Sequence, residues 1–130
     1  IDINIDTPKK SKDEMVIGDP AKIYQVIANL INNSIKYTSN GGKIKIEILP
    51  KEKMIQVNVI DNGIGIPLEE QEKIFERFYR VDKSRNRQHQ SSGLGLAIAR
   101  EIIKNHQGKI WVKSKEGEGS TFSFTLPKND

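Results

Sequence analysis

Between Asp19 and Tyr37 the apolar residues Ile23, Ile27, Leu30 and Ile31 recur at helical spacing, and the small Ser34 extends the same stripe. Asp19 is a natural N-cap and Pro20 suits the first helical position, while the turn-rich run Thr38-Ser39-Asn40-Gly41-Gly42 cannot continue a helix. A helix with one apolar face needs a second layer to bury it against. The rest of the chain supplies that layer. Ile44, Ile46 and Ile48 alternate with lysines and Glu47, and Ile55, Val57 and Val59 alternate with Gln56 and Asn58 across a hairpin loop at 49–53. A second helix opens at Gly93-Leu94-Gly95-Leu96, with Leu96, Ala99, Ile102 and Ile103 as its core stripe and Gly108 as its stop. Alternation returns at Ile110 and Val112, then at Phe122, Phe124 and Leu126, around a Gly-rich turn at 115–119. Residues 1–5 read as a further strand, 15–17 as a short one, and 68–75 as a short helix. This order predicts an α+β fold, a two-layer α/β sandwich whose mixed, mainly antiparallel sheet of about five strands is covered on one face by three helices.

The 130 residues fit a single domain over 1–130 with a real core. No cysteine supports the fold, in keeping with a reducing compartment. No apolar run approaches the ~20 residues of a membrane span. The chain lacks an initiator Met and starts inside the alternation Ile1, Ile3, Ile5, so it reads as a fragment of a longer protein. The net charge of +4 arises from 21 basic and 17 acidic residues, a mixture that argues weakly for nucleic acid. Basic residues do gather at Arg77, Arg80, Lys83, Arg85 and Arg87, either as a solvated loop or as a phosphate-facing rim.

Opposite the apolar stripe, the first helix carries Lys22, Asn29, Asn33, Lys36 and Tyr37. Positions 29, 33, 36 and 37 line up along one side. Asparagine is a poor helix former, so repeated mid-helix Asn suggests a ligand, although a solvated face has the same appearance. An amide oxygen suits Mg²⁺, which takes few protein ligands beside substrate phosphates. In Asp61-Asn62-Gly63-Ile64-Gly65-Ile66, a carboxylate at a strand end precedes backbone that can come close to a flat ligand; a tight turn with an Asx cap would look similar. Such an acceptor would select adenine over guanine through the exocyclic amine. Gly93-Leu94-Gly95-Leu96 follows a polar segment at 82–92 and opens a helix, a setting in which backbone N–H groups face phosphate. It is neither a Walker loop nor a Rossmann fingerprint, since no Gly-Lys-Ser/Thr follows and no strand precedes it.

Taken together, these segments resemble the ATP-binding catalytic domain of bacterial sensor histidine kinases, in the superfamily shared with DNA gyrase, MutL and the heat-shock chaperone ATPase (the Bergerat-type fold). Residues 29–38 resemble the N box, 61–66 the G1 box, 74–82 (with Phe75, Phe78, Tyr79 and Arg80) the F box, and 93–96 the G2 box. Gly117, Gly119, Ser120, Phe122, Leu126 and Pro127 resemble the closing strand, so the likeness covers nearly the whole chain. It implies ATP and Mg²⁺ as cofactors, with Asn33 as the metal ligand and Asp61 as the adenine N6 acceptor beside Gly63, Gly65 and Ile66. Lys36 and Tyr37 would contact phosphates or ribose, and Arg80 would reach the phosphate end. Backbone of Ser92, Gly93, Leu94, Gly95 and Leu96 would cradle the phosphates, and Ser120 would help hold the adenine through water. Residues 82–92 would be the ATP lid. Ser91 and Ser92 stand where the family commonly has further glycine, which bears on lid closure; Ser34, in place of the usual Ala or Gly, is expected to be harmless.

Hydrolytic members of the superfamily carry a glutamate one turn before the metal-binding Asn. Asn29 occupies that place here, and a neutral amide is no general base. The reading is therefore transfer of the γ-phosphoryl group to a histidine, with Asn29, Lys36 and Arg80 in the catalytic set. Neither His89 nor His106 lies in an acceptor context, so the acceptor belongs on a dimerisation domain of the same protein. The resemblance further implies a response regulator downstream, a homodimeric parent anchored in the bacterial membrane, a cytoplasmic location for this domain, and no nucleic-acid partner. The rivals are a self-sufficient ATPase of the gyrase or MutL type and a basic nucleic-acid-binding module. Phe75 reads as core, whereas Phe78 and Tyr79 are open between core and docking.

Overall fold

The structure, a computed structural model, describes residues 2–6, 19–38, 42–77 and 94–128. The expected strand at 15–17, the lid at 82–92, and Phe78, Tyr79, Arg80, His89, Ser92 and Gly93 lie outside the described residues. The elements run β1 (Asp2–Asp6), α1 (Pro20–Tyr37), β2 (Lys43–Pro50), β3 (Met54–Asp61), α2 (Gly95–Asn105), β4 (Ile110–Lys115) and β5 (Gly119–Pro127). They form one five-stranded sheet in the order β1-β2-β3-β5-β4, antiparallel except for β1, which runs parallel to β2 with Ile3 opposite Ile44.

The period-2 pattern sets the faces. Ile44 and Ile46, Val57 and Val59, and Phe122, Phe124 and Leu126 point to one side and are buried under Val26 and Leu30 of α1 and Ala99, Ile102 and Ile103 of α2. The buried line of α1 is thus Val26, Leu30 and Ser34, with Ile23, Ile27 and Ile31 partly buried beside it. Val26 completes a stripe wide enough to meet both the sheet and α2.

Start and stop chemistry agree with the sequence at α1 and differ at α2. Asp19 caps α1 by accepting from the Ala21 N–H at 3.0 Å, with Pro20 next. At the end of α2 the left-handed residue is Gln107 (φ 63°), not Gly108. Gln107 and Gly108 donate to the carbonyls of Lys104 and Ile103, a Schellman ending. Gly108 is needed for a different reason: a Cβ there would overlap the carbonyl of Thr125 on β5. The short helix expected over 68–75 consists of two 3₁₀ turns, Leu68–Glu70 and Lys73–Phe75. The Gln71 side chain between them donates to the carbonyls of Ile66 and Ser114, both at 2.9 Å. That tether bends the segment so that Ile74 and Phe75 enter the core, where Phe75 meets Phe122 edge to face with centroids 6.4 Å apart.

Candidate functional site

On the helix-facing side of the sheet, alternation carries each apolar series into a polar residue at the same end. Val57 and Val59 lead to Asp61, Phe124 and Phe122 lead to Ser120, and Ile110 and Val112 lead to Ser114. Because Asp61 pairs with Ser120 and Ser120 with Ser114, the three form one polar row where the core stops. The C-terminal half of α1 lies above this row and brings in Ser34.

Asp61 is only 5% exposed. Its Oδ1 accepts the N–H groups of Gly63 at 2.9 Å and Ser120 at 3.2 Å. Burial raises its pKa above the ordinary aspartate range, opposed by the Gly63 N–H, the Ser34 hydroxyl and the Ser120 N–H. The Ser34 hydroxyl is near enough to favour the charged form, yet neither Ser34 Oγ nor Asp61 Oδ2 has a hydrogen bond of good geometry. Two buried polar atoms without partners mark a place for a ligand or an ordered water. Ser34 is thus buried directly beside this carboxylate, its hydroxyl opposing the rise in the Asp61 pKa.

The glycines of this segment permit close approach, and the neighbour they approach is the chain itself. A Cβ at Gly63 would overlap the Tyr37 carbonyl, which accepts the Ile64 N–H at 3.1 Å. Gly65, at φ 76°, lies against the Lys115 carbonyl. The loop is thus held between the end of α1 and the β4–β5 turn, and Ile66, only 1% exposed, packs in the core. Ser114 fixes it there. Its Oγ accepts the Ile66 N–H at 2.7 Å and donates to the Gly119 carbonyl at 2.8 Å. The Ser120 hydroxyl, 2.8 Å away, is then the donor to Ser114, which leaves its own lone pairs for an incoming donor. Sequence reasoning missed Ser114 and Gln71; the available signal was the switch from apolar to Ser in register with Ser120.

Along α1, Asn29 Nδ2 donates to the Gly95 carbonyl at 3.0 Å, joining this helix to the first turn of α2. Asn33 is one turn further on, about 6 Å along the axis. Its Nδ2 is buried without a partner. A carboxamide exchanges its two ends by a half-turn, so this unpaired amide fits a ligand that takes its oxygen. No group of three or more His, Cys, Asp or Glu that could hold a metal occurs among the described residues. The Asn33 amide oxygen is a ligand of the kind Mg²⁺ accepts, since that ion takes few protein ligands beside phosphates and water. Lys36 Nζ lies 5.4 Å from the centroid of the Tyr37 ring, both at the end of α1. Leu94, the N-cap of α2, supplies no side-chain cap, the first turn has no acidic residue, and the first helical bond is Ile98 N–H to the Leu94 carbonyl. The N–H groups of Gly95, Leu96 and Ala97 precede that bond and are oriented as an anion site requires.

Residues 18–130 match the family described as histidine kinase-, DNA gyrase B- and HSP90-like ATPase. The chain belongs to this family. Within it, this ATPase-family domain is 48% identical to the sensor histidine kinase WalK of Bacillus subtilis over 118 residues, 89% of this chain and 19% of that protein. It is 46% identical to the adaptive-response sensory kinase SasA of Thermosynechococcus vestitus over 127 residues, 97% of this chain and 31% of that protein. The chain thus spans less than a third of the length of these curated relatives. The catalytic domain of histidine kinase ThkA has the same fold, with TM-score 0.81 and 38% identity over 98% of this chain and 78% of that chain. The domain is accordingly of the histidine kinase catalytic type. ThkA has also been solved in complex with the response regulator protein TrrA, a structure that this chain matches with TM-score 0.77 and 36% identity over 98% of this chain and 34% of that chain. No described helix of the domain is long and apolar enough to cross a membrane.

Proposed function

We propose that this chain binds Mg·ATP and gives the γ-phosphoryl group to a histidine on the dimerisation domain of its own sensor kinase. The observation that carries the proposal is Asp61, a buried carboxylate with one oxygen held by two backbone N–H groups and the other unpaired. That free oxygen suits the exocyclic amine of adenine, and the Ser120 lone pairs suit a water beside it. Gly63, Gly65 and Ile66 keep the loop under the base. Asn33 is the residue to hold Mg²⁺, which when bound supplies charge neutralisation at the phosphates. Backbone at 92–96 (Ser92, Gly93, Leu94, Gly95 and Leu96) cradles the phosphates, with Lys36, Tyr37 and Arg80 as the contacts for ribose and phosphate.

Transfer, rather than hydrolysis, follows from Asn29. Its amide nitrogen is engaged as a donor to the Gly95 carbonyl, and an amide does not take a proton from water. Asn29 is thus a positioning residue, setting the phosphate-facing turn of α2 against the metal ligand on α1. On this reading the parent is a homodimer anchored in the bacterial membrane with this domain in the cytoplasm, a response regulator receives the phosphoryl group, and no nucleic acid is involved. The test uses ATP labelled at the γ-phosphate. The chain alone should release no phosphate at steady state, and a histidine-bearing dimerisation domain added to it should acquire acid-labile label. Steady phosphate release without labelled protein would establish the ATPase alternative instead.

A further inference from the structure

We infer that Gln71 is a positioning residue for nucleotide recognition, its side-chain amide pinning the loop 61–66 to the edge of the sheet. The inference rests on the reading of Asp61 as the acceptor for the base, and it assigns the support of that loop to a side chain that meets no nucleotide. Ile66 closes the loop and is only 1% exposed. Its N–H donates to Ser114 Oγ at 2.7 Å, and its carbonyl accepts one hydrogen of Gln71 Nε2 at 2.9 Å. The other hydrogen of that nitrogen goes to the Ser114 carbonyl, also at 2.9 Å. Loop, strand β4 and the first 3₁₀ turn are thereby closed into one ring of hydrogen bonds. Both groups facing the amide are carbonyl oxygens, so the nitrogen end of Gln71 must point at them.

The nearby backbone donors are committed elsewhere. The first 3₁₀ turn spends the N–H groups of Glu70 and Gln71 on the carbonyls of Pro67 and Leu68, at 2.9 and 3.2 Å. β4 is the last strand of the sheet, and just before it the Lys109 carbonyl accepts the Thr125 N–H of β5 at 2.9 Å. Antiparallel alternation then turns the Ser114 carbonyl away from β5, out of the sheet. Without the amide, two carbonyl oxygens converge with no donor between them, and the loop relieves this by moving off β4. Such a movement displaces Gly65, packed on the Lys115 carbonyl, and Gly63, whose N–H holds Asp61 Oδ1 at 2.9 Å. Asn33 and Lys36 on α1 and the first turn of α2 belong to other elements and stay in place. The effect of Gln71 on binding therefore passes through Asp61.

A double-mutant cycle read by calorimetry with Mg·ATP tests this, on proteins first shown by thermal unfolding to be folded at the titration temperature. Gln71→Met has similar length and no donor, whereas the ammonium of Gln71→Lys can donate to both carbonyls. Gln71→Met should bind Mg·ATP about three- to tenfold more weakly than wild type, the range for one net hydrogen bond, and Gln71→Lys should recover most of the loss. In the Asp61→Asn background the same Gln71→Met change should cost less than about twofold, because the contact it serves is already gone. Should Gln71→Met not fold, Gln71→Asn, an amide one methylene too short to reach both carbonyls, takes its place with the same expectations. Affinity of the single variant within about twofold of wild type overturns the inference. So do losses that add in full in the double variant, the signature of a merely structural role, and Gln71→Lys binding as weakly as Gln71→Met. Weakened binding in Asp61→Asn with none in Gln71→Met refutes the role of Gln71 alone, whereas undiminished binding in Asp61→Asn refutes the reading of Asp61 and this inference with it.

Discussion

Replacing Asp61 by Asn should make the unliganded protein more stable while weakening its nucleotide affinity. The introduced carboxamide keeps an oxygen for the Gly63 and Ser120 N–H groups, and its amide hydrogens can donate to the Ser34 oxygen, which makes no hydrogen bond of good geometry in the wild type. An unsatisfied buried polar atom costs roughly 1–3 kcal/mol, and hydrogen bonds to a charged acceptor are stronger than those to a neutral one, so the net gain should be about 1 kcal/mol. For a chain of this size that is about 3–5 °C in melting temperature. The pH dependence gives the sharper test. Burial raises the Asp61 pKa in the folded state, so the folded protein holds this proton more readily than the unfolded chain. Below the ordinary aspartate pKa of about 3.9 both states are protonated and the favourable contribution is fully present. It is lost as pH rises through the raised native value. Protonated Asp61 can donate to Ser34 as the amide does. The advantage of Asp61→Asn, followed by urea or thermal unfolding between pH 3 and pH 8, should therefore be largest at neutral pH and shrink toward zero in acid. A variant less stable than wild type at pH 7, or a stability gap that does not vary with pH, would refute the reasoning.

Three further outcomes follow from the same contacts. Gly63→Ala drives a methyl group into the Tyr37 carbonyl and should lower stability in urea by roughly 1–3 kcal/mol. Ser114→Ala strips the Ile66 N–H and the Gly119 carbonyl of a buried partner; denaturant titration should register a loss of about 1–3 kcal/mol, and nucleotide affinity should fall with it. Asn29→Asp keeps the side chain's size but cannot donate to the Gly95 carbonyl, so calorimetry should find weaker Mg·nucleotide binding while thermal unfolding shows a loss of about 1 kcal/mol.

The legible parts of this fold are those decided by local chemistry. The Asp19-Pro20 start of α1 and the alternating strands around Val57 and Phe122 follow from capping and period alone, and they appear where expected. The parallel pairing of β1 with β2 is not legible, because register between strands separated by a helix depends on tertiary packing. Glycine favours the left-handed conformation, which makes Gly108 the natural stop on sequence grounds. The chain instead uses Gln107 and keeps Gly108 for its contact with Thr125, a requirement set by a strand distant in sequence. In the site, Asp61 and Asn33 stand out because a carboxylate at a strand end and an amide in a helix are locally costly. Ser34 and Ser114 do not, since a serine is ordinary until its burial and its missing or shared partners are visible.

The most direct test of the central claim, that the pocket around Asp61 is the base site of a nucleotide-binding domain, is calorimetric titration with Mg²⁺ and a non-hydrolysable ATP analogue. Wild type should bind one nucleotide per chain, and Asp61→Asn, although folded and more heat-stable, should bind it roughly 10- to 100-fold more weakly. Absence of binding in the wild type, or equal affinity in the two proteins, would contradict the account.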